Sequence, residues 1–137
     1  ALAARGQAPR YTVISLPGDR PADADAALGI VVSHVTRLPI WKDTAIFILP
    51  AYAASQRDHV SIRRAYALVV SPYAKRGYVG HRHLSTASVL KTQEELLGLP
   101  PLSLGDLLAT DMADFFTSKP RFAPYISKAV PASTQGE

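Results

Sequence analysis

Two histidines, His81 and His83, lie two positions apart in a polar segment of the chain. In an extended loop, side chains at positions i and i+2 point to the same side, and paired imidazoles are frequent zinc ligands. The spacing therefore suits two ligands of a zinc site. An exposed histidine pair without a metal is the alternative.

Two serines, Ser85 and Ser88, open a segment with helical periodicity. A serine becomes a nucleophile only beside a general base, and no base has a suitable spacing here. Serine is also a preferred N-cap residue, so we expect Ser85 to cap a helix over residues 86–97. The N-terminus of that helix could also hold an anion, since basic residues precede it at Lys75, Arg76 and Arg82.

The composition is that of an ordinary globular protein: 137 residues, 47% hydrophobic and 19% charged. This length allows one domain with its own core. The absence of cysteine excludes a disulfide scaffold, a thiolate metal site and a cysteine nucleophile. No apolar run reaches the ~18 residues that a membrane-spanning helix needs.

The formal net charge is +4. A basic balance indicates a nucleic-acid or other anionic partner only when the charge is clustered. The basic residues form two loose groups: Arg57, Arg63 and Arg64, and then Lys75, Arg76 and Arg82. Neither is interleaved with a recognisable nucleic-acid-binding module, so we interpret them as solvated loop charge and do not expect a nucleic-acid partner.

The elements that must position these residues follow from local patterns. Runs rich in apolar and β-branched residues predict strands at 11–16, 44–49 and 65–70. The last two are apolar on both faces, which is typical of strands buried between helix layers. Helix start and stop signals predict helices at 22–37, 86–97 and 104–116. This order predicts an α/β fold with a mostly parallel sheet flanked by helices.

The helical periodicity also predicts which side chains are buried. For the first helix these are Ala27, Ile30, Val31, His34 and Val35, so His34 is expected at or near the core. For the last helix they are Leu107, Leu108, Met112 and Phe115. We divide the chain into an exposed arm (1–10), a single α/β domain (11–117) and an irregular tail (118–137).

Several segments together resemble one known family. They read LPIWKDTAIFIL at 38–49, YALVVSPYAKRGYV at 66–79, LSTASVLKT at 84–92 and LLGLPPLS at 96–103. These are similar to the C-terminal half of the phosphoesterase family that includes acid phosphatases and phospholipases C, within the alkaline-phosphatase superfamily. The resemblance implies an alkaline-phosphatase-like fold, phosphoester hydrolysis by a metal-activated Ser or Thr, and a periplasmic or secreted location.

The resemblance also identifies metal-ligand positions, and this chain departs from several. An acidic run is expected after the strand at 44–49, but the chain has Pro50, Ala51 and Tyr52, which offer no strong donor for a hard cation. Asp58 and His59 do match an Asp-His pair of the family. They are therefore candidates for one half of a metal site, and a loop dipeptide with local hydrogen bonds is the alternative.

Basic residues stand where further ligands would fall in the family. Arg20 follows the first predicted strand, and Arg63 follows the Asp58-His59 pair. A guanidinium repels a cation but binds phosphate well. Arg20, Arg63 and Arg76 are therefore candidate anion-binding residues.

The resemblance implies that the nucleophile belongs to an N-terminal half that this sequence lacks. We therefore expect no cofactor on the chain alone, with Zn, Mn or Ca bound only after completion. A non-catalytic accessory subunit of a larger assembly is the second hypothesis, and an anion- or nucleic-acid-binding domain is the third. Half a domain leaves an open sheet edge and an apolar face, so we expect a protein partner, the missing half, or self-association.

Overall fold

The computed structural model describes residues 8–16, 21–50 and 65–126. The chain divides into two compact units. The first consists of Ala1–Asp43 together with Phe122–Glu137, and the second is Thr44–Arg121.

The first unit is built on helix α1, Pro21–Val35, which a 3-10 helix, Pro39–Asp43, follows. Its buried side chains include Val32, Thr36 and Trp41. The Thr36 hydroxyl accepts a hydrogen bond from the Tyr125 backbone amide at 3.0 Å, which ties the C-terminal segment to the end of α1. A buried hydroxyl that meets a backbone donor in this way lowers the cost of its own burial.

The predicted helix was correct, but its predicted buried face was partly wrong. Ile30 is 70% exposed and His34 is exposed, whereas the face that carries Val32 and Thr36 is buried. The predicted strand at 11–16 was also wrong, since these residues have no strand conformation and nearly all are exposed. A β-branched run becomes a strand only beside a partner that completes its hydrogen bonds, and the described residues provide none.

The second unit contains a sheet of two strands, β1 (Ile46–Ile48) and β2 (Leu68–Val70). They are antiparallel, with Phe47 opposite Val69. The prediction of a mostly parallel sheet flanked by helices was therefore wrong, and so was the alkaline-phosphatase-like fold built on it. An apolar pattern on both faces indicates burial but carries no information on strand direction.

Helix α2, Thr86–Leu97, has the predicted bounds, and Gly98 ends it in the left-handed conformation with φ 68°. The predicted helix at 104–116 is instead a short α3, Leu104–Leu108, and a 3-10 helix, Ala113–Phe115. The Asp111 carboxylate accepts the Ala113 amide at 2.8 Å, a local bond that competes with helical continuation.

The break after α3 changes which side chains are buried. Met112 is completely buried, as predicted, but Leu107 and Leu108 are exposed. Among the described residues, no helix is both long enough and apolar enough to cross a membrane.

Candidate functional site

The sequence-predicted site residues fall into two groups. Asp58, His59, Arg20 and Arg63 lie outside the described residues. Arg76, His81 and His83 lie in the loop between β2 and α2, residues 71–85, which we call the basic loop.

The first part of the basic loop is held along the chain that follows α3. The Lys75 amide donates to the Phe115 carbonyl at 2.8 Å, and the Thr117 amide donates to the Tyr73 carbonyl at 2.8 Å. Ala74 and Phe116 form an antiparallel bridge between these two bonds. The loop backbone is therefore fixed by a short ladder, although the loop belongs to no regular element.

Side chains strengthen this attachment around Tyr78. Its hydroxyl donates to the Asp114 carboxylate at 2.7 Å, and its ring meets the Phe115 ring edge-to-face at 5.1 Å. The Lys75 ammonium donates to the Asp114 carbonyl at 2.7 Å and lies 5.1 Å from the centre of the Tyr78 ring. The hydrogen bond to the Asp114 carboxylate raises the pKa of Tyr78, since this bond favours the protonated phenol.

The basic loop presents exposed cationic and imidazole side chains at Arg76, His81, Arg82 and His83. No residue from 71 to 85 is acidic. Such a loop can contact an anion. It offers no carboxylate ligand that would complete the predicted zinc site of His81 and His83. In the part of the chain that the structure describes, no three His, Cys, Asp or Glu residues are grouped as metal ligands, so the described residues do not fit a divalent metal site.

Ser85 is the N-cap of α2, as predicted, and Ser88 serves the same helix end. The Ser85 amide donates to the Ser88 hydroxyl at 3.0 Å, and Ser88 is buried. This is the reciprocal bond of a capping box, which uses donors that would otherwise be open to an anion. The geometry thus assigns both serines to the helix terminus.

Sequence reasoning missed a pair of buried carboxyl groups between α2 and α3. They belong to Glu94, 4% exposed, and Asp106, 1% exposed. Asp106 accepts hydrogen bonds from the Leu102 amide at 2.7 Å and from the Ser103 hydroxyl. The bond from Ser103 is the main reason why the pKa of Asp106 is lowered to about 2.

One sequence signal could have found half of this pair. Ser103 stands three positions before Asp106, a spacing typical of a helix N-terminus. Glu94 gave no such signal, because an acidic residue near the end of a helix is ordinarily exposed. Its burial depends on the packing of the chain between the two helices.

No protein-family model matches this chain, and no curated protein matches it. The resemblance to phosphoesterases therefore stays a prediction based on the sequence segments at 38–49, 66–79, 84–92 and 96–103. One of those segments, SPYAKRGYV at 71–79, is the first part of the basic loop.

Proposed function

We propose that this chain is one part of a larger phosphoesterase-like protein and takes part in phosphoester hydrolysis only when another polypeptide completes it. The completing polypeptide is either another part of the same protein or a partner subunit. The observation that carries the proposal is the incomplete burial of the two apolar strands.

Both strands consist entirely of apolar residues, yet none of those residues is buried. Leu68 in β2 is 51% exposed. Strands that are apolar on both faces ordinarily lie inside a sheet that other elements cover. Open edges and contiguous apolar surface drive association with another chain. These two properties together favour a fold that a further polypeptide completes.

The reaction class rests on the sequence resemblance. Asp58 and His59 are the residues of this chain that we would assign to a divalent metal site for Zn, Mn or Ca. The nucleophile and the remaining ligands would come from the completing polypeptide. The described residues do not fit such a site by themselves, so no catalytic step is assigned to them.

The incompletely buried strands equally support the second hypothesis, a non-catalytic accessory subunit that docks into an assembly. The exposed cations of the basic loop, with Arg76 among them, are the observation that favours the third, an anion-binding domain. The three hypotheses differ in whether the completed assembly binds a divalent metal and hydrolyses a phosphoester. Experiments on metal binding and hydrolysis can therefore separate them.

The need for completion is tested by light scattering coupled to size-exclusion chromatography at increasing protein concentration. We expect the purified chain to self-associate through its strands, and Leu68→Lys to reduce that association. Ile30→Lys is the matched control, because Ile30 is 70% exposed but belongs to α1. A wild-type chain that stays a well-folded monomer at high concentration would refute the proposal.

The reaction class is tested with p-nitrophenyl phosphate in the presence of Zn²⁺, Mn²⁺ or Ca²⁺, and by calorimetric titration of Zn²⁺ and Mn²⁺. Alone, the chain should bind metal weakly and hydrolyse nothing above the buffer rate. A natural complex isolated with this chain as bait should be active, and His59→Ala should remove that activity. An inactive complex would favour the accessory subunit, whereas turnover by the monomer would contradict the need for completion.

A further inference from the structure

The two buried carboxyl groups of Glu94 and Asp106 differ in the number of hydrogen-bond donors that they meet. Asp106 has a donor for each oxygen, the Ser103 hydroxyl and the Leu102 amide. Glu94 has none, since neither of its carboxyl oxygens accepts a hydrogen bond from any donor in the described residues. A buried carboxylate without a partner is costly, so Glu94 requires a specific explanation.

The chain around Glu94 explains why its carboxyl group has no backbone donor of its own. The Gly98 amide donates to the Glu95 carbonyl at 3.2 Å, and the Leu99 amide donates to the backbone carbonyl of Glu94 at 2.9 Å. The next two residues are prolines, which have no N–H group. The following amide, Leu102, faces both carboxyl groups and donates to Asp106. Every nearby backbone donor is thus absent or already used.

No described cation neutralises Glu94. On the same helix, the Lys91 ammonium is directed to the carbonyls of Leu107 and Ala109, at 3.0 and 2.9 Å. Glu95, also on α2, adds a second negative charge. On α3, the facing titratable group is Asp106 itself. Among the described residues, the charged groups that act on the carboxyl group of Glu94 are therefore two other carboxyl groups, Asp106 and Glu95.

We propose that Glu94 is protonated in the folded protein at neutral pH and donates its O–H to the Asp106 carboxylate, forming a proton-dependent junction between α2 and α3. Two buried carboxyl groups that face the same Leu102 amide favour one shared proton, because two ionised carboxylates repel each other. The surroundings of the two groups indicate that Glu94 holds the proton and that Asp106 is ionised. Asp106 has donors that stabilise its charge, whereas burial raises the pKa of Glu94 and the bond to Asp106 raises it further.

The proton makes the junction sensitive to alkaline conditions. Because the folded-state pKa of Glu94 is raised, its contribution to stability is complete below the ordinary glutamate value of about 4.3 and is lost as the pH rises through the raised value. Loss of the proton leaves both Glu94 and Asp106 negatively charged, next to the residues 99–103 that connect α2 to α3. We infer that the turn between α2 and α3 then loosens while the rest of the chain stays folded.

The test compares wild type with Glu94→Gln by chemical denaturation from pH 4.5 to 9, using the full chain. Gln keeps a donor for Asp106 but cannot ionise. The ratio of the wild-type folding constant to that of the variant should fall about tenfold per pH unit until the raised pKa is passed, then level off. Asp43→Asn is the matched control, because Asp43 is an exposed carboxylate outside α2 and α3, and it should show no such step.

A second measurement on the wild-type chain does not depend on folding of the variant. Infrared difference spectra should contain the C=O stretch of a protonated buried carboxylic acid at pH 7, and the band should disappear on alkaline titration. A wild-type spectrum without this band, or a pH profile that Glu94→Gln leaves unchanged, would overturn the proposal. Stabilisation of wild type but not Glu94→Gln by Mg²⁺ or Ca²⁺ at pH 7 would also overturn it, since a cation would then occupy the place of the proton.

Discussion

The Met112 backbone amide donates a hydrogen bond to the Thr92 hydroxyl across 2.9 Å. The same hydroxyl donates to the Ser88 carbonyl at 2.8 Å. Met112 is completely buried and Thr92 nearly so. One side chain of α2 thus satisfies a backbone donor of the irregular segment that follows α3, and it fixes the position at which Met112 enters the core.

Thr92→Val should therefore destabilise the chain by about 1–3 kcal/mol, because the isosteric valine leaves the buried Met112 amide without an acceptor. Urea unfolding followed by circular dichroism measures this change. Thr86→Val is the matched control at the exposed first turn of the same helix, and its effect should stay within about 0.5 kcal/mol. Equal effects of the two substitutions would contradict the role given to Thr92.

The close approach of Gly80 to Phe115 gives a second prediction. A Cβ atom at position 80 would lie 2.5 Å from the Phe115 ring, so Gly80→Ala must displace that ring from the edge of Tyr78. We expect a loss of about 1–3 kcal/mol, as for other overpacked sites. Gly105→Ala is the control, since its Cβ would meet the Ser103 hydroxyl at an ordinary 3.5 Å. That variant should be neutral or slightly stabilised, because alanine favours a helix more than glycine does.

The Tyr78–Asp114 bond predicts a pH-dependent attachment of the basic loop. The folded-state pKa of Tyr78 is raised by this bond, so its contribution to stability is present below the ordinary tyrosine value of about 10 and is lost as the pH rises through the raised value. Ultraviolet titration should show a late phase that belongs to Tyr78. Asp114→Asn should remove that late phase, as should Tyr78→Phe. A late phase that persists in Tyr78→Phe would assign it to another tyrosine.

The elements that the sequence predicted best are those with local signals at both ends. Helix α2 begins after Ser85 and ends at Gly98, and both residues act on neighbouring backbone groups within one turn. The two central strands were predicted as elements, but their direction was not. Strand direction depends on the chain that connects Leu49 to Tyr66, whose pattern specifies neither a hairpin nor a crossover.

Among the candidate site residues, too, those that act on neighbouring residues could be predicted, whereas those that depend on tertiary packing could not. The capping function of Ser85 could be predicted from its residue type and position, because a cap acts on backbone groups within the first turn of its own helix. The Glu94–Asp106 pair could not be predicted, because it arises where two helices pack and where prolines remove the intervening amides. His81 and His83 show the converse. Their spacing suits two ligands, but grouping with a third ligand depends on tertiary contacts that spacing does not specify.

The contact between Lys91 and the end of α3 provides the last prediction. The Lys91 ammonium donates to the Leu107 and Ala109 carbonyls, acceptors at a helix C-terminus that would otherwise lack partners. Lys91→Met keeps the apolar stem but removes these bonds, and we expect a loss of about 1.5–3 kcal/mol. The loss should appear locally, as faster hydrogen exchange of the α3 amides than of the central α2 amides. Lys42→Met is the control, because Lys42 is 70% exposed and its ion pair with Asp43 spans 3.9 Å, a surface pair worth little. Unchanged exchange of the α3 amides in Lys91→Met would contradict the assignment of the Lys91 ammonium to the end of α3.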